Sequence, residues 1–147
     1  MAEMLVLGWR EWVSLPELGL PAIKAKVDTG ARTSALHAFY IEPYRQGGSL
    51  WVRFGVHPLR RTTRVMVECQ AEVQDRRVVS DSGGHRELRY CIFTPVCLGK
   101  AKWPIEVTLT NRDPMLFRML LGRNAISGRA VVDPASSYLL GKPKAKL

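Results

Sequence analysis

The chain has 147 residues, 46% of them apolar and 24% charged, and a mean hydropathy near zero, which is the profile of one globular domain with one ordinary core. No stretch approaches the roughly 20 apolar residues that span a membrane, and the opening Met1–Arg10 segment carries an early acid rather than a secretory pattern, so a cytoplasmic protein is expected. A formal charge of +9, with 15 arginines among 22 basic residues, calls for an acidic partner, either nucleic acid or peptide, without choosing between them.

Along the chain, period-two alternation dominates. Ile23–Val27 places apolar side chains at odd positions and charges at even ones, and it runs directly into Asp28-Thr29-Gly30. A short Thr33–Leu36 strand follows. Leu50, Val52, Phe54 and Val56 alternate with Trp51, Arg53, Gly55 and His57. Val65, Val67, Cys69, Ala71 and Val73 form the longest such series, and Ile105, Val107 and Leu109 repeat the pattern. These are half-buried antiparallel strands.

Turn signals separate them at Gln46–Ser49, Asp81–Gly84 and Asn111–Pro114. Arg76–Ser80 and Arg86–Phe93 flank the second turn and predict a hairpin with a glycine-rich tip and four arginines, Arg76, Arg77, Arg86 and Arg89. This hairpin is expected to cover an acidic substrate. One short helix is expected at Arg123–Ser127, stopped by Gly128, and a basic tail begins at about residue 142. The expectation is a single all-β domain over residues 1–147, closed or nearly so. Cys69, Cys91 and Cys97 are odd in number and match no zinc or redox spacing, so they read as reduced, packed thiols.

Asp28-Thr29-Gly30 alone is short enough to arise by chance. Its context is more telling: an apolar strand leads in, and Met119-Leu120-Leu121-Gly122-Arg123-Asn124-Ala125-Ile126 lies near the end of the chain. The pair resembles retroviral aspartic proteases, in which a hydrophobic-hydrophobic-Gly-Arg-Asn strand passes the active-site loop and enters one short helix. Lys24–Ala38, Trp103–Leu109, Met115–Arg123, Val132–Pro134 and Ser137–Leu139 further resemble a small bacterial family, the ATP-dependent zinc proteases. That resemblance spans about residues 20 to 141. It implies a closed retropepsin-like β-barrel and an association with ATP-grasp ligases that add glutamate to a ribosomal protein.

One carboxylate cannot both activate water and protonate a carbonyl; aspartic peptidases use two that share a proton. This chain has one Asp-Thr-Gly, so a homodimer is expected to supply the second Asp28, with Thr29 bracing the paired loops and Gly30 allowing close approach. Retropepsins follow the motif with an acid that pairs with the arginine of Gly-Arg-Asn; here Arg32 holds that place and Arg123 loses that partner. The candidate catalytic residues are therefore Asp28, Thr29 and Gly30. The candidate substrate-binding residues are Arg32, Ser34, His37 and Arg123, acting on an acidic, glutamate-rich peptide or glutamate-tailed protein.

No metal site and no cofactor are expected. His37, His57 and His85 are scattered, and neither a His-Glu-x-x-His motif nor a phosphate-binding loop occurs. Two alternatives stay open. One is a zinc hydrolase using His37 with Asp28; the other is a non-catalytic module that binds acidic peptide or RNA, nucleic acid being the less favoured partner.

Overall fold

The computed structural model describes residues 4–59, 61–81, 83–111 and 116–143. The chain is mostly β. In order it forms β1 Leu5–Leu7, β2 Arg10–Leu15, β3 Leu20–Asp28, β4 Ser34–His37, β5 Tyr40–Gln46 and β6 Ser49–Val56. There follow β7 Val67–Ser80, β8 Arg86–Leu98, β9 Ala101–Thr110, β10 Met119–Gly122, the single-turn α1 Arg123–Ile126, and β11 Ala130–Val132. The turn expected at 111–114 falls, from residue 112 on, outside the described residues, as does the basic tail from residue 144. No helix among the described residues is long and apolar enough to cross a membrane.

Alternation in the sequence becomes alternation in burial. Val52, Phe54 and Val56 of β6, and Trp103, Ile105, Val107 and Leu109 of β9, all enter the core. The core also includes Leu15, Leu20, Ile23, Leu36, Ile92, Leu98, Met119 and Leu121. Gly47 and Gly48, both in the left-handed region at φ 59° and 82°, make the tight link between β5 and β6, with Gln46 opposite Ser49. The series from Val65 to Val73 behaves differently: the strand starts only at Val67, and of that series Cys69 alone is buried. β7 pairs with β6 over Val67–Glu72 and then, past an irregularity at Val73/Asp75, with β8 over Val73–Ser80. Its outer half is thus a two-stranded ribbon with β8, too thin to bury both faces.

Nine strands form one sheet in the order β2-β3-β10-β4-β9-β8-β7-β6-β5. Closure rests on one bridge between β2 and β8, Ser14 opposite Cys97, so the described residues form a folded sheet joined at one point rather than a barrel with continuous ladders all round. β10 lies between β3, to which it is parallel, and β4, to which it is antiparallel. β1 and β11 pair separately and in parallel. All three cysteines are free; burial raises the Cys69 thiol to about 12 and the Cys91 thiol to about 11, which keeps both protonated and unreactive.

The chain ends are fastened by a fully buried carboxylate. Glu11 accepts the Gly8 amide at 2.7 Å, the Leu139 amide at 2.9 Å and the Leu140 amide at 3.2 Å. Replacing Glu11 with alanine leaves three donors without that acceptor, and a loss on the order of 3–5 kcal/mol is expected. Urea unfolding measures it, and a loss below about 1 kcal/mol would mean that other acceptors replace the carboxylate.

Candidate active site

Asp28 is the last residue of β3, and the turn after it follows from its own side chain: Oδ1 accepts the Gly30 amide at 3.0 Å, and the Ala31 amide donates to the Asp28 carbonyl at 3.2 Å. Thr29, Gly30 and Arg32 are exposed, and Asp28 is half-buried. Asp28 thus sits at an exposed loop rather than in the core.

The loop is held from beneath by the crossing strand. Gly122 of β10 lies opposite Asp28 in the parallel ladder. Its amide donates to Ser34 Oγ at 3.0 Å, and Thr108 Oγ1 donates to the Ser34 carbonyl at 3.2 Å. The first amides of α1 continue the clamp, Arg123 onto the Ala31 carbonyl at 2.7 Å and Asn124 onto the Arg32 carbonyl at 3.0 Å. The Arg123 guanidinium reaches the Thr29 carbonyl at 3.1 Å. Arg123, lacking the acid found in retropepsins, therefore takes a backbone carbonyl of the Asp-Thr-Gly loop as its acceptor.

Two concavities flank the loop. One, about 640 Å³, is lined by Gly30, Arg32, Thr33, Arg77, Val79 and Glu106, among others. The other, about 480 Å³, contains Asp28, Ala35, Val79, Asp81, Arg89 and Leu120. The β7–β8 hairpin forms the facing wall of both. Its four arginines divide: Arg77 and Arg89 are partly covered and line the concavities, whereas Arg76 and Arg86 are exposed on the other face. Asp81, the second carboxylate beside Asp28, already accepts the amides of Gly83 and His85, each at 2.9 Å, within its own turn.

Glu106, unremarkable in the sequence, is the hub of the larger concavity. Arg77 donates to it, Asn124 Nδ2 donates to it at 3.3 Å, and Arg32 acts on it through its charge. The Arg77 hydrogen bond, reinforced by the charges of Arg77 and Arg32 against a smaller opposing effect of burial, holds the Glu106 carboxyl below its usual 4.5. A depressed carboxyl stabilises the fold above its unfolded pKa, and that contribution is lost as pH falls through the folded value. Urea midpoints should therefore drop more steeply below pH 4.5 in the wild type than in Glu106→Gln. Parallel curves for the two would mean that the pair contributes nothing to stability.

Of the residues named from the sequence, Asp28, Thr29, Gly30, Arg32 and Arg123 come together around one loop. Ser34 and His37 do not join them. Ser34 is fully buried, its hydroxyl accepting the Gly122 amide, so it braces the loop from within. His37 is buried at the far end of β4, opposite Thr110, and its amide donates to the Arg118 carbonyl at 2.8 Å. It lines neither concavity beside Asp28. The His37–Asp28 zinc pair is not assembled, and among the described residues no group of three or more His, Cys, Asp or Glu could hold a metal ion. The described residues around Asp28 do not fit a zinc centre.

The sequence matches the RimB-like family, described as that of the retropepsin-like aspartic endopeptidase RimB, over residues 6–143. This chain belongs to the RimB-like family. Curated relatives include a protein of Desulfotalea psychrophila, 51% identical over 137 residues, and one of Parasynechococcus marenigrum, 50% identical over 141 residues; each is called a probable alpha-L-glutamate ligase. The alignments cover 93% and 96% of this RimB-like chain but 30% of either relative. A solved structure of a Legionella pneumophila protein, described as of unknown function, matches with a TM-score of 0.77 at 29% identity, covering 94% of this chain and 99% of the other.

Proposed function

We propose that this RimB-like protein is an aspartic-type peptidase that works as a homodimer on acidic, glutamate-rich peptides. The observation that carries the reading is the exposed Asp28-Thr29-Gly30 loop, clamped by the Gly122–Asn124 crossing and faced by arginines across two concavities. One Asp28 carboxylate takes a proton from water as that water attacks the peptide carbonyl carbon. The Asp28 of the second subunit, protonated, gives its proton to the carbonyl oxygen. Collapse of the tetrahedral intermediate breaks the C–N bond, with a proton passed to the departing nitrogen. No metal enters these steps.

Substrate class follows from charge. Arg32, Arg77 and Arg89 line the two concavities, and of these Arg77 is already committed to Glu106. Arg89 is likewise paired with Glu87 at 2.6 Å, which leaves Arg32 as the fork for substrate carboxylates. The relatives called probable glutamate ligases are roughly three times as long as the segment they share with this chain. A peptidase with acidic specificity joined to, or acting beside, an ATP-grasp ligase that adds glutamate would remove what the ligase adds. In this reading the protein acts in the cytoplasm.

The test is hydrolysis of an oligo-glutamate-tailed peptide and a neutral peptide of the same length. Arg32→Ala should lower kcat/KM about ten- to a hundredfold on the acidic peptide and spare the neutral one, the range expected for one charge-assisted contact. Lysine at this position should restore only part of the loss, since an ammonium lacks the planar fork. Equal loss on both peptides would assign Arg32 to support of the Asp28 loop.

A further inference from the structure

A second basic surface lies away from Asp28. Arg32, Arg77, Arg89 and Arg123 surround the Asp28 loop, whereas all five lysines among the described residues, Lys24, Lys26, Lys100, Lys102 and Lys142, lie on or beside another face, together with Arg10 and Arg61. β2 and β3 place Trp12 opposite Lys24 and Arg10 opposite Lys26. Ser14 lies opposite Cys97, and Cys97 opposite Lys102, which continues the same surface across β8 to β9.

Aromatic rings lie among these charges. Lys24 Nζ stands 5.2 Å from the Trp12 ring centre and 5.8 Å from that of Tyr138. Lys142 Nζ is 4.9 Å from Trp12, and the Arg10 guanidinium is 4.9 Å from Tyr138. The Trp12 and Tyr138 rings are 6.2 Å apart. Among the described residues Tyr138 is the one non-glycine with left-handed backbone, φ 53°. That unfavourable conformation is imposed by its amide on the Arg10 carbonyl and by Glu11, which takes the two amides that follow. The fold thus spends a buried carboxylate on fixing this ring beside Trp12.

Trp12 is also the ridge between two basins. One, about 440 Å³, includes Ser14, Cys97, Lys100 and Lys142; the other, about 240 Å³, includes Lys24, Pro58, Leu59 and Arg61. Neither is lined by an acidic side chain, and neither shares a residue with the concavities beside Asp28.

We propose that this face binds a single-stranded polynucleotide, with a base stacked on Trp12 and the flanking phosphates held by Lys24, Arg61, Lys100 and Lys142. Stacking rings set among ammonium groups is the arrangement that accepts bases without reading their sequence. An acidic peptide would use the charges but would have no need of the rings, which is why the polynucleotide is favoured. A base entering at Trp12 displaces Lys142 from the ring, and the freed ammonium meets the adjoining phosphate.

The experiment uses the Asp28→Asn protein, so that binding is read independently of hydrolysis. Fluorescence anisotropy follows labelled 12-nucleotide oligo-U, oligo-dT, a duplex of the same length and an oligo-glutamate peptide. Both single strands should bind more tightly than the duplex, the peptide should be insensitive to Trp12→Ala, and the RNA and DNA arms separate the two sources. The logarithm of the affinity should fall with that of salt with a slope of about −3, as for four cations on single strands. Trp12→Ala should weaken single-strand binding about tenfold or more. Lys24→Gln with Lys142→Gln should flatten the salt slope, and this pair serves as the second variant if Trp12→Ala fails to fold. Arg76→Gln with Arg86→Gln, the same charge removed elsewhere, should change little. Equal losses in the two charge variants with none from Trp12→Ala, or oligo-glutamate binding that Trp12→Ala weakens as much as single-strand binding, would overturn the proposal.

Discussion

Asp28→Asn should abolish peptide hydrolysis, lowering kcat by about a thousandfold or more while leaving the fold intact, because the side chain is half-buried on an exposed loop and its Oδ1 bond to the Gly30 amide can be kept by the amide oxygen. The informative form of the experiment mixes subunits. One Asp28 per chain means that both members of a dimer must carry the acid. Activity in a freely exchanging mixture should then follow the square of the wild-type fraction, and dilution should lower specific activity as dimers dissociate. Activity linear in the wild-type fraction, from a species that sediments as a monomer, would overturn the shared site.

Gly122→Ala should be as damaging by a different route. A Cβ at this position would stand 2.5 Å from the Thr33 carbonyl carbon, 2.7 Å from its oxygen and 2.8 Å from the Ser34 amide nitrogen. All three are backbone atoms of the strand that carries the Asp28 loop into β4, so no side-chain rotation relieves the clash. A loss on the order of 3 kcal/mol or more is expected, together with loss of activity through displacement of the loop. Calorimetry of the variant checks the first part. An alanine variant with wild-type Tm and kcat would mean that β10 does not hold the loop against β4 as tightly as the distances require.

The strands were legible because alternation is local. Ile23–Val27, Leu50–Val56 and Ile105–Leu109 each carry their own burial pattern within a few residues, and the structure buries them accordingly. The hairpin, the helix at Arg123 and the Asp-Thr-Gly loop were legible for the same reason, each being signalled by consecutive residues. Family membership followed from several such local blocks in the right order.

What the sequence could not supply were the pairings between distant segments. Ser34 read as a substrate-binding residue near the motif, yet it is buried, with its hydroxyl accepting the amide of Gly122, 88 positions later. Arg123 found its acceptor at Thr29, 94 positions earlier, and Glu106 found Arg77 across 29. His37 follows Asp28 by nine residues but sits at the other end of β4, since β10 inserts between β3 and β4 and separates the strands that sequence proximity had suggested were neighbours. By itself the sequence determined the Asp-Thr-Gly motif, the strands and the sign of the charge, all set by side-chain type and short-range period. The tertiary structure alone decided which polar groups brace and which face the cleft, and which cations gather around Trp12, because those outcomes depend on strand order and register, which no local pattern encodes.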